Sequence, residues 1–436
     1  MALSILVFCL YIFTHTESVI GSSTTSPGSN SGSNCPDKVI GAREPVLVDL
    51  FGPSYIAHVT VGSKTVPLLI DTGSSDIWVV PSNFTCLDAE SHVIEQAACG
   101  FPSYVNDTFS GNEIPETYLS IIYGNGQFTH GPYGLESVSL GDITVPNQQI
   151  ALPSEGYIKV ASGDFSGILG LGYPGMVAAR AGKDPKAYVN NTDPMAAYDT
   201  WLVNAVKQNL TAPLFSMALN MNGGGLLAIG GVVDVPIQGD FAVTSILMRN
   251  LINDTRADTE LTYYTIIAED YIINGERFSK LSTDEEIPSG KIFPVIVDSG
   301  FTTCPLPPSL VTLFYDAFIS APQVVEIEGQ AMFAAPCDTD KVPTFSVQIG
   351  GQMIEMSRDT LLVARMNTTE NGTTMCALGL QPGIEEAGLL GDTFLSNVVA
   401  VFDVGESEMR FAQRSFEGAV SEELSSPVLK RLKDEL

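Results

Sequence analysis

Histidine is scarce in this chain, with 4 in 436 residues, and tryptophan is scarcer still, with 2. No His stands at metal-ligand spacing, so nothing here reads as a metal site. There is also no Gly-x-Ser-x-Gly elbow and no phosphate-binding loop, which removes the usual parts of serine-hydrolase and nucleotide chemistry. Lys and Arg total 21 against 50 Asp and Glu, a formal net charge of -29. With no basic run to interrupt that acidity, the chain lacks a surface for nucleic acid or for an anionic membrane. Long apolar runs are missing too. Leu3 to Phe13 has the length of a signal-peptide core and is too short to cross a bilayer, which takes about 20 residues. We read residues 1–21 as a cleaved signal peptide, with no membrane span in the mature chain.

What is present is enough for a sizeable core: 44% of the residues are hydrophobic and 16% charged. Of the 7 cysteines, Cys9 leaves with the signal. The remainder, Cys35, Cys86, Cys99, Cys304, Cys337 and Cys376, form an even set that suggests disulfides in an exported chain. Asn-x-Ser/Thr acceptors begin at Asn83, Asn106, Asn190, Asn209, Asn253, Asn367 and Asn371, as expected of a glycoprotein of the secretory pathway.

Residues 22–45 begin with a Gly/Ser/Thr/Asn/Pro stretch that cannot bury enough apolar area to fold, so this segment is expected to be flexible. From Pro45 onward short β-rich runs dominate: Tyr55 to Val61, Val66 to Ile70, Tyr118 to Tyr123 and Tyr263 to Ile273, each bounded by turn residues. The better helical signals are Met195 to Gln208 and Pro308 to Ile319. The class is mostly β. An internal repeat sets the architecture, because an apolar run ends in Asp-Thr/Ser-Gly twice, at Asp71-Thr72-Gly73 and at Asp298-Ser299-Gly300. Each is followed downstream by an apolar-apolar-Gly element, Ile168-Leu169-Gly170 in one half and Leu389-Leu390-Gly391 in the other. Duplicated halves place their carboxylates across a pseudo-two-fold axis.

A lone Asp-Thr-Gly is an ordinary turn. Two copies at equivalent repeat positions are different, since two apposed carboxylates cannot both stay fully ionised. One proton is shared, and one carboxylate then activates a water while the other polarises or protonates a carbonyl. The familiar dyad of this kind is that of the aspartic proteases. Ile70 to Val79, reading IDTGSSDIWV, resembles the pepsin-like aspartic protease family, as do Phe165 to Pro174, Leu214-Phe215-Ser216 and Leu390 to Leu395. The resemblance runs from about Val46 to Gln413.

It implies a two-lobed pepsin-like fold with pseudo-two-fold symmetry and a central active-site cleft. Residues 46–235 are the expected N-terminal catalytic lobe, 236–416 the C-terminal catalytic lobe, and 417–436 an acidic tail. It also implies an aspartic endopeptidase needing no cofactor or metal, acting on protein or peptide substrates as a monomer. Asp71 and Asp298 are the expected catalytic pair, supported by Thr72, Gly73, Ser74, Ser299 and Gly300. Tyr123, Gly124 and Gly126 are similar to the tip of the family's flap hairpin, with Trp78 the tyrosine's partner. The resemblance further implies disulfides Cys86–Cys99 and Cys337–Cys376, leaving Cys304 either paired with Cys35 or buried as a free thiol.

Two departures stand out. Phe301 occupies the place where the family usually carries Ser or Thr, as Ser74 does in the first half, so a hydroxyl donor to Asp298 is lost. The segment before the first strand is short and poor in basic residues, unlike the family's inhibitory propeptides. Phe301 keeps open an alternative of another class, a catalytically weak or silent peptide-binding protein. A sugar hydrolase using the two carboxylates is a third reading, without the aromatic-rich subsites it needs.

The chain ends Lys433-Asp434-Glu435-Leu436, a signal read by the retrieval receptor of the endoplasmic reticulum, which makes that lumen the expected address over secretion or a vacuole. Deletion of these four residues is expected to shift the protein into the culture medium, scored by immunoblot of cell and medium fractions; an unchanged distribution overturns the address.

Overall fold

The structure, a computed structural model, describes residues 46–50, 54–124, 126–160, 163–183, 193–220, 223–248, 260–281, 293–327, 330–370, 373–385 and 387–415. The expected signal, the segment holding Cys35, the acidic tail with its last four residues, and the acceptors Asn190, Asn253 and Asn371 lie outside that set.

The described chain is mostly β. The run predicted at Val66 to Ile70 is the centre of strand Lys64–Asp71, which pairs antiparallel with Ile56–Val61 and parallel with Gly167–Gly170. These belong to a ten-stranded sheet that also holds the long hairpin Glu113–Ile122 and Phe128–Leu140. Strand Phe293–Val297 repeats the arrangement, flanked by Thr265–Ala268 antiparallel and by Gly388–Leu390 parallel. The two parallel pairs run in the same register, Ile70 opposite Leu169 and Val297 opposite Leu390.

A six-stranded sheet draws strands from both halves, in the order Val46–Leu50, Gly225–Ile229, Leu214–Leu219, Val398–Asp403, Glu408–Arg414 and Ile237–Ser245. Its fully buried strand Val398–Asp403 is a continuous apolar run before its last residue, the pattern of a strand covered on both faces. Above it, aromatic rings from the two halves interlock. Phe215 stacks on Phe402 at 4.5 Å, Tyr264 meets Phe402 edge-on at 4.8 Å, and Tyr173 lies 5.0 Å from Tyr264. The Tyr264 hydroxyl, buried with its ring, donates to the Leu171 carbonyl at 2.6 Å and so satisfies its polar end across the same junction.

Two expectations are corrected in detail. The helix expected over Met195 to Gln208 covers only Trp201–Lys207, because Met195 bridges Arg180 and the Ala196 amide donates to Ala179, spending that segment on a sheet edge. The run Tyr263 to Ile273 is two strands in two sheets, Thr265–Ala268 and Asp270–Ile273, separated at Glu269. The helix expected at Pro308 is present as Pro308–Asp316, with proline in its first turn.

Disulfides join Cys86 to Cys99 and Cys337 to Cys376, as expected. Cys304 is fully buried without a disulfide, and burial pushes its thiol up to about 12, which makes it a poor nucleophile.

Phe402 is wholly buried in the inter-half ring cluster. Phe402→Ala is expected to cost about 3–5 kcal/mol of stability, the usual range for emptying such a site. Urea unfolding followed by tryptophan fluorescence tests this, and a loss under about 1 kcal/mol contradicts the junction's importance.

Candidate active site

Strands Lys64–Asp71 and Phe293–Val297 deliver Asp71 and Asp298 into two tight turns that grip one another. The Thr72 hydroxyl donates to the Val297 carbonyl at 3.1 Å and accepts from the Ser299 amide at 2.9 Å. In return the Ser299 hydroxyl donates to the Ile70 carbonyl at 2.8 Å and accepts from the Thr72 amide at 3.2 Å. All four bonds are buried, so each is made in a setting where an unmade partner costs about 1–3 kcal/mol. Thr72 and Ser299, though different residues, make the same exchange.

Glycine is obligatory in both turns for a reason of space. A β-carbon on Gly73 would collide with the Asp298 carboxylate, and one on Gly300 with that of Asp71. The two carboxyl groups therefore meet across glycine.

Their surroundings differ. Asp71 accepts from the Gly73 amide at 2.8 Å on Oδ1 and from the Ser74 hydroxyl at 2.5 Å on Oδ2. Asp298 accepts from the Gly300 amide at 2.7 Å, and Phe301 offers it no hydroxyl. Ser74 and Phe301 stand at the same place in the two turns, each three residues after its aspartate. The Gly172 amide donates to the Ser74 carbonyl and the Asp392 amide to the Phe301 carbonyl, each at 2.8 Å. Burial raises the Asp71 carboxyl above its ordinary range, opposed by Ser74 and Gly73. Burial raises Asp298 well above that range, and the neighbouring Asp71 charge pushes the same way. The pair thus holds one proton to higher pH than isolated carboxyls do.

Tyr123 ends the first arm of the hairpin Glu113–Ile122 and Phe128–Leu140. Its amide donates to Gln127 at 2.8 Å, and the Gly126 amide returns to its carbonyl at 2.9 Å. Gly124 and Gly126 are exposed at the tip, Gly126 at φ 81°, with open space around both. The Trp78 indole, 1% exposed, donates to the Tyr123 hydroxyl at 2.7 Å. Trp78 is thus both core and a tether for the hairpin. Desolvation raises the Tyr123 phenol, keeping it neutral and able to donate, with the Asp71 charge acting in the same direction.

Two further carboxyl groups escaped sequence reasoning. Asp76 is buried at 2% exposure and accepts from the Tyr133 hydroxyl at 2.5 Å, the Tyr198 hydroxyl at 2.7 Å and the Ala178 amide at 2.7 Å. It binds the segments carrying those residues to the back of the first turn. Tyr133 and Tyr198 lie far along the chain and carry no local signal. Asp392, 5% exposed, leaves its Oδ1 without a hydrogen-bond partner among the described residues. Its only sequence cue is its place just after Leu389-Leu390-Gly391, where the first half has Leu171 after Ile168-Leu169-Gly170.

Elsewhere Asp88, Glu90 and His92 bring ligand atoms within 4.8 Å of one another. The turn is largely exposed, and Asp88 already accepts from the Glu90 and His92 amides, which accounts for the cluster.

Duplicated β halves that present two carboxylates from equivalent turns beneath a hairpin define the two-lobed pepsin-like fold. Comparison with known proteins agrees. The family model for eukaryotic aspartyl protease matches residues 54–414. A protein of Aspergillus fumigatus named as a probable aspartic-type endopeptidase is 32% identical over 83% of this chain and 79% of its own. Rhizopuspepsin-4 of Rhizopus niveus is 25% identical over 84% of this chain and 79% of its own. The crystal structure of an aspartic proteinase from Irpex lacteus superposes with a TM-score of 0.64 at 19% identity, over 87% of this chain and 100% of that one, a likeness of fold. The chain belongs to the eukaryotic aspartyl protease family.

Burial, then the charges of Asp298 and Asp71, raise the Asp392 carboxyl well above its ordinary value. A group bound to its proton more tightly when folded stabilises fully below the unfolded carboxyl value of about 3.9 and loses that contribution as pH rises through the native value. Stability is therefore expected to fall from mildly acidic toward neutral pH. Asp392→Asn, which needs no deprotonation, is expected to flatten that slope in thermal melts at a series of pH values; an unaltered slope refutes the assignment.

Proposed function

We propose that the chain is an aspartic endopeptidase that hydrolyses peptide bonds with a water activated between Asp71 and Asp298. The observation that carries this reading is the pair of interlocked turns, which hold two carboxyl groups against each other across Gly73 and Gly300. Asp71, whose two donors favour its charged form, takes a proton from the water. Asp298 gives its proton to the scissile carbonyl oxygen as the water oxygen bonds to the carbon. The tetrahedral diol then collapses: Asp71 gives its proton to the amide nitrogen, one diol hydroxyl gives its proton back to Asp298 as the carbonyl re-forms, and the C–N bond breaks.

Tyr123, Gly124 and Gly126 form the flap tip that closes over an extended peptide, with Trp78 holding the tyrosine. Thr72, Gly73, Ser74, Ser299 and Gly300 position the dyad. Residues 46–235 and 236–416 serve as its two catalytic lobes, joined by the mixed six-stranded sheet. The enzyme acts as a monomer on protein or peptide substrates, and no helix among the described residues is long and apolar enough to cross a membrane. Its route is the secretory pathway, with cleavage of residues 1–21, glycosylation at exposed acceptors such as Asn83, Asn106 and Asn209, and retrieval to the endoplasmic reticulum.

Phe301 favours a second reading, a silent peptide-binding protein, because it removes a donor from Asp298. That reading requires binding of a statine-type mimic with no cleavage at any pH.

Asp71→Asn or Asp298→Asn is expected to reduce peptidase activity by at least about 10³-fold, the scale for losing a central acid-base group, with folding retained by circular dichroism. Because a hydroxyl bonded to an ionised carboxylate lowers its pKa, Phe301→Thr is expected to move the basic limb of the pH–rate profile downward. Full activity in either Asn variant refutes the dyad, and a limb that stays or moves upward refutes the role of Phe301 in its titration.

A further inference from the structure

Two acceptors for N-linked sugar, Asn83-Phe84-Thr85 and Asn106-Asp107-Thr108, are distant in sequence and meet on one surface of the first half. The middle residue of the second holds the first. Asp107 accepts from the Ser82 hydroxyl at 2.5 Å and from the Asn83 amide at 3.0 Å. Both asparagines are exposed, and each stands in the wall of its own cavity. Asn83 lines one of about 550 Å³ together with Asn112, Glu113 and Glu155, and Asn106 lines one of about 350 Å³. Both volumes fall in the range of sites that hold small molecules, about 300–1,000 Å³. Thr108 and Phe109 line both, so the cavities adjoin at one half-buried aromatic ring.

Residues 101–112 form neither helix nor strand. They are held by the bridge of Val105 to Pro81 at one end. At the other, the Gly111 amide donates to the Leu135 carbonyl and the Leu135 amide to the Asn112 carbonyl, each at 3.0 Å. Between these ties Phe109 lies so close to the second arm of the hairpin that a β-carbon on Gly134 would collide with the ring. The part of the ring left in water gains by being covered. An N-linked glycan begins with N-acetylglucosamine, whose C–H face is apolar and whose hydroxyls need acceptors. Glu113, Glu155 and Asn112 offer such acceptors in the larger cavity. We propose that the glycans of Asn83 and Asn106 seat their first sugars against Phe109, one in each cavity, and so brace residues 101–112 onto the hairpin. This inference rests on the reading of the chain as a glycoprotein and adds to it a defined seat and a mechanical role for the sugar.

The test uses the full chain made in a eukaryotic secretory host, with occupancy of Asn83 and Asn106 mapped by mass spectrometry. Untreated protein is compared with protein trimmed by an endoglycosidase that leaves one N-acetylglucosamine and with protein stripped by an amidase that removes it. A double variant, Asn83→Gln with Asn106→Gln, reaches the bare state by another route. Trimmed protein is expected to melt with the untreated form. Stripped and double-variant proteins are expected to lose about 2–4 °C in Tm, the shift that a modest contact gives in a domain of about 150–250 residues, and to be cut faster by an added protease within residues 101–112. In a Phe109→Leu background, which lacks the flat ring, stripping is expected to lower Tm less. Occupied acceptors whose complete removal leaves melting and cleavage unchanged overturn the seat and leave the glycoprotein reading standing. An equal loss in wild type and Phe109→Leu overturns the seat as well. One acceptor found bare on the exported protein overturns the proposal for its cavity, and both found bare overturn the glycoprotein reading at this surface too.

Discussion

Everything at the centre of this molecule depends on four buried hydrogen bonds exchanged between Thr72 and Ser299 and the carbonyls of Val297 and Ile70. Each hydroxyl donates to the opposite strand and accepts from the opposite turn, so neither half can rotate without stranding a buried donor. That mutual constraint brings two carboxyl groups together at glycines too small to separate them. Without it, the pair would be two ordinary turns at the ends of two strands. The aromatic cluster of Tyr173, Phe215, Tyr264 and Phe402 supports the same junction apolarly, and the Tyr264 hydroxyl ties that layer to the carbonyl just before Gly172.

The symmetry of the scaffold makes its one asymmetry consequential. Ser74 stabilises charge on Asp71, whereas Phe301 leaves Asp298 with backbone donors and an apolar neighbour. Two chemically identical groups are thereby pushed apart, which is how paired carboxyls acquire different roles. Asp392, unpartnered at Oδ1 among the described residues and raised by the dyad's charges, adds a third carboxyl to the same field. The electrostatics are therefore a property of the assembled turn pair and its floor.

Behind the first turn, Asp76 gathers the hydroxyls of Tyr133 and Tyr198 and the Ala178 amide. Three hydrogen bonds make a buried carboxylate tolerable. They connect the second arm of the hairpin, Phe128–Leu140, to the strand that holds Trp78 and so to Tyr123. The position of the hairpin is thus set from two sides, by its own pairing and by this network.

The repeated Asp-Thr/Ser-Gly turns, with their paired downstream glycine elements, determined the duplicated fold and the candidate dyad, because local patterns spell out strands and tight turns one residue at a time. Phe301 was equally legible as a missing hydroxyl, since the first half supplies its own comparison at Ser74. Tertiary structure alone decided what lies between distant segments. It shortened the helix before Gln208 by drawing Met195 to Arg180, split Tyr263 to Ile273 between two sheets, left Cys304 as a buried thiol, and assembled the Asp76 network from residues up to 122 positions apart. Those outcomes rest on non-local pairing and burial, which no short stretch of sequence encodes.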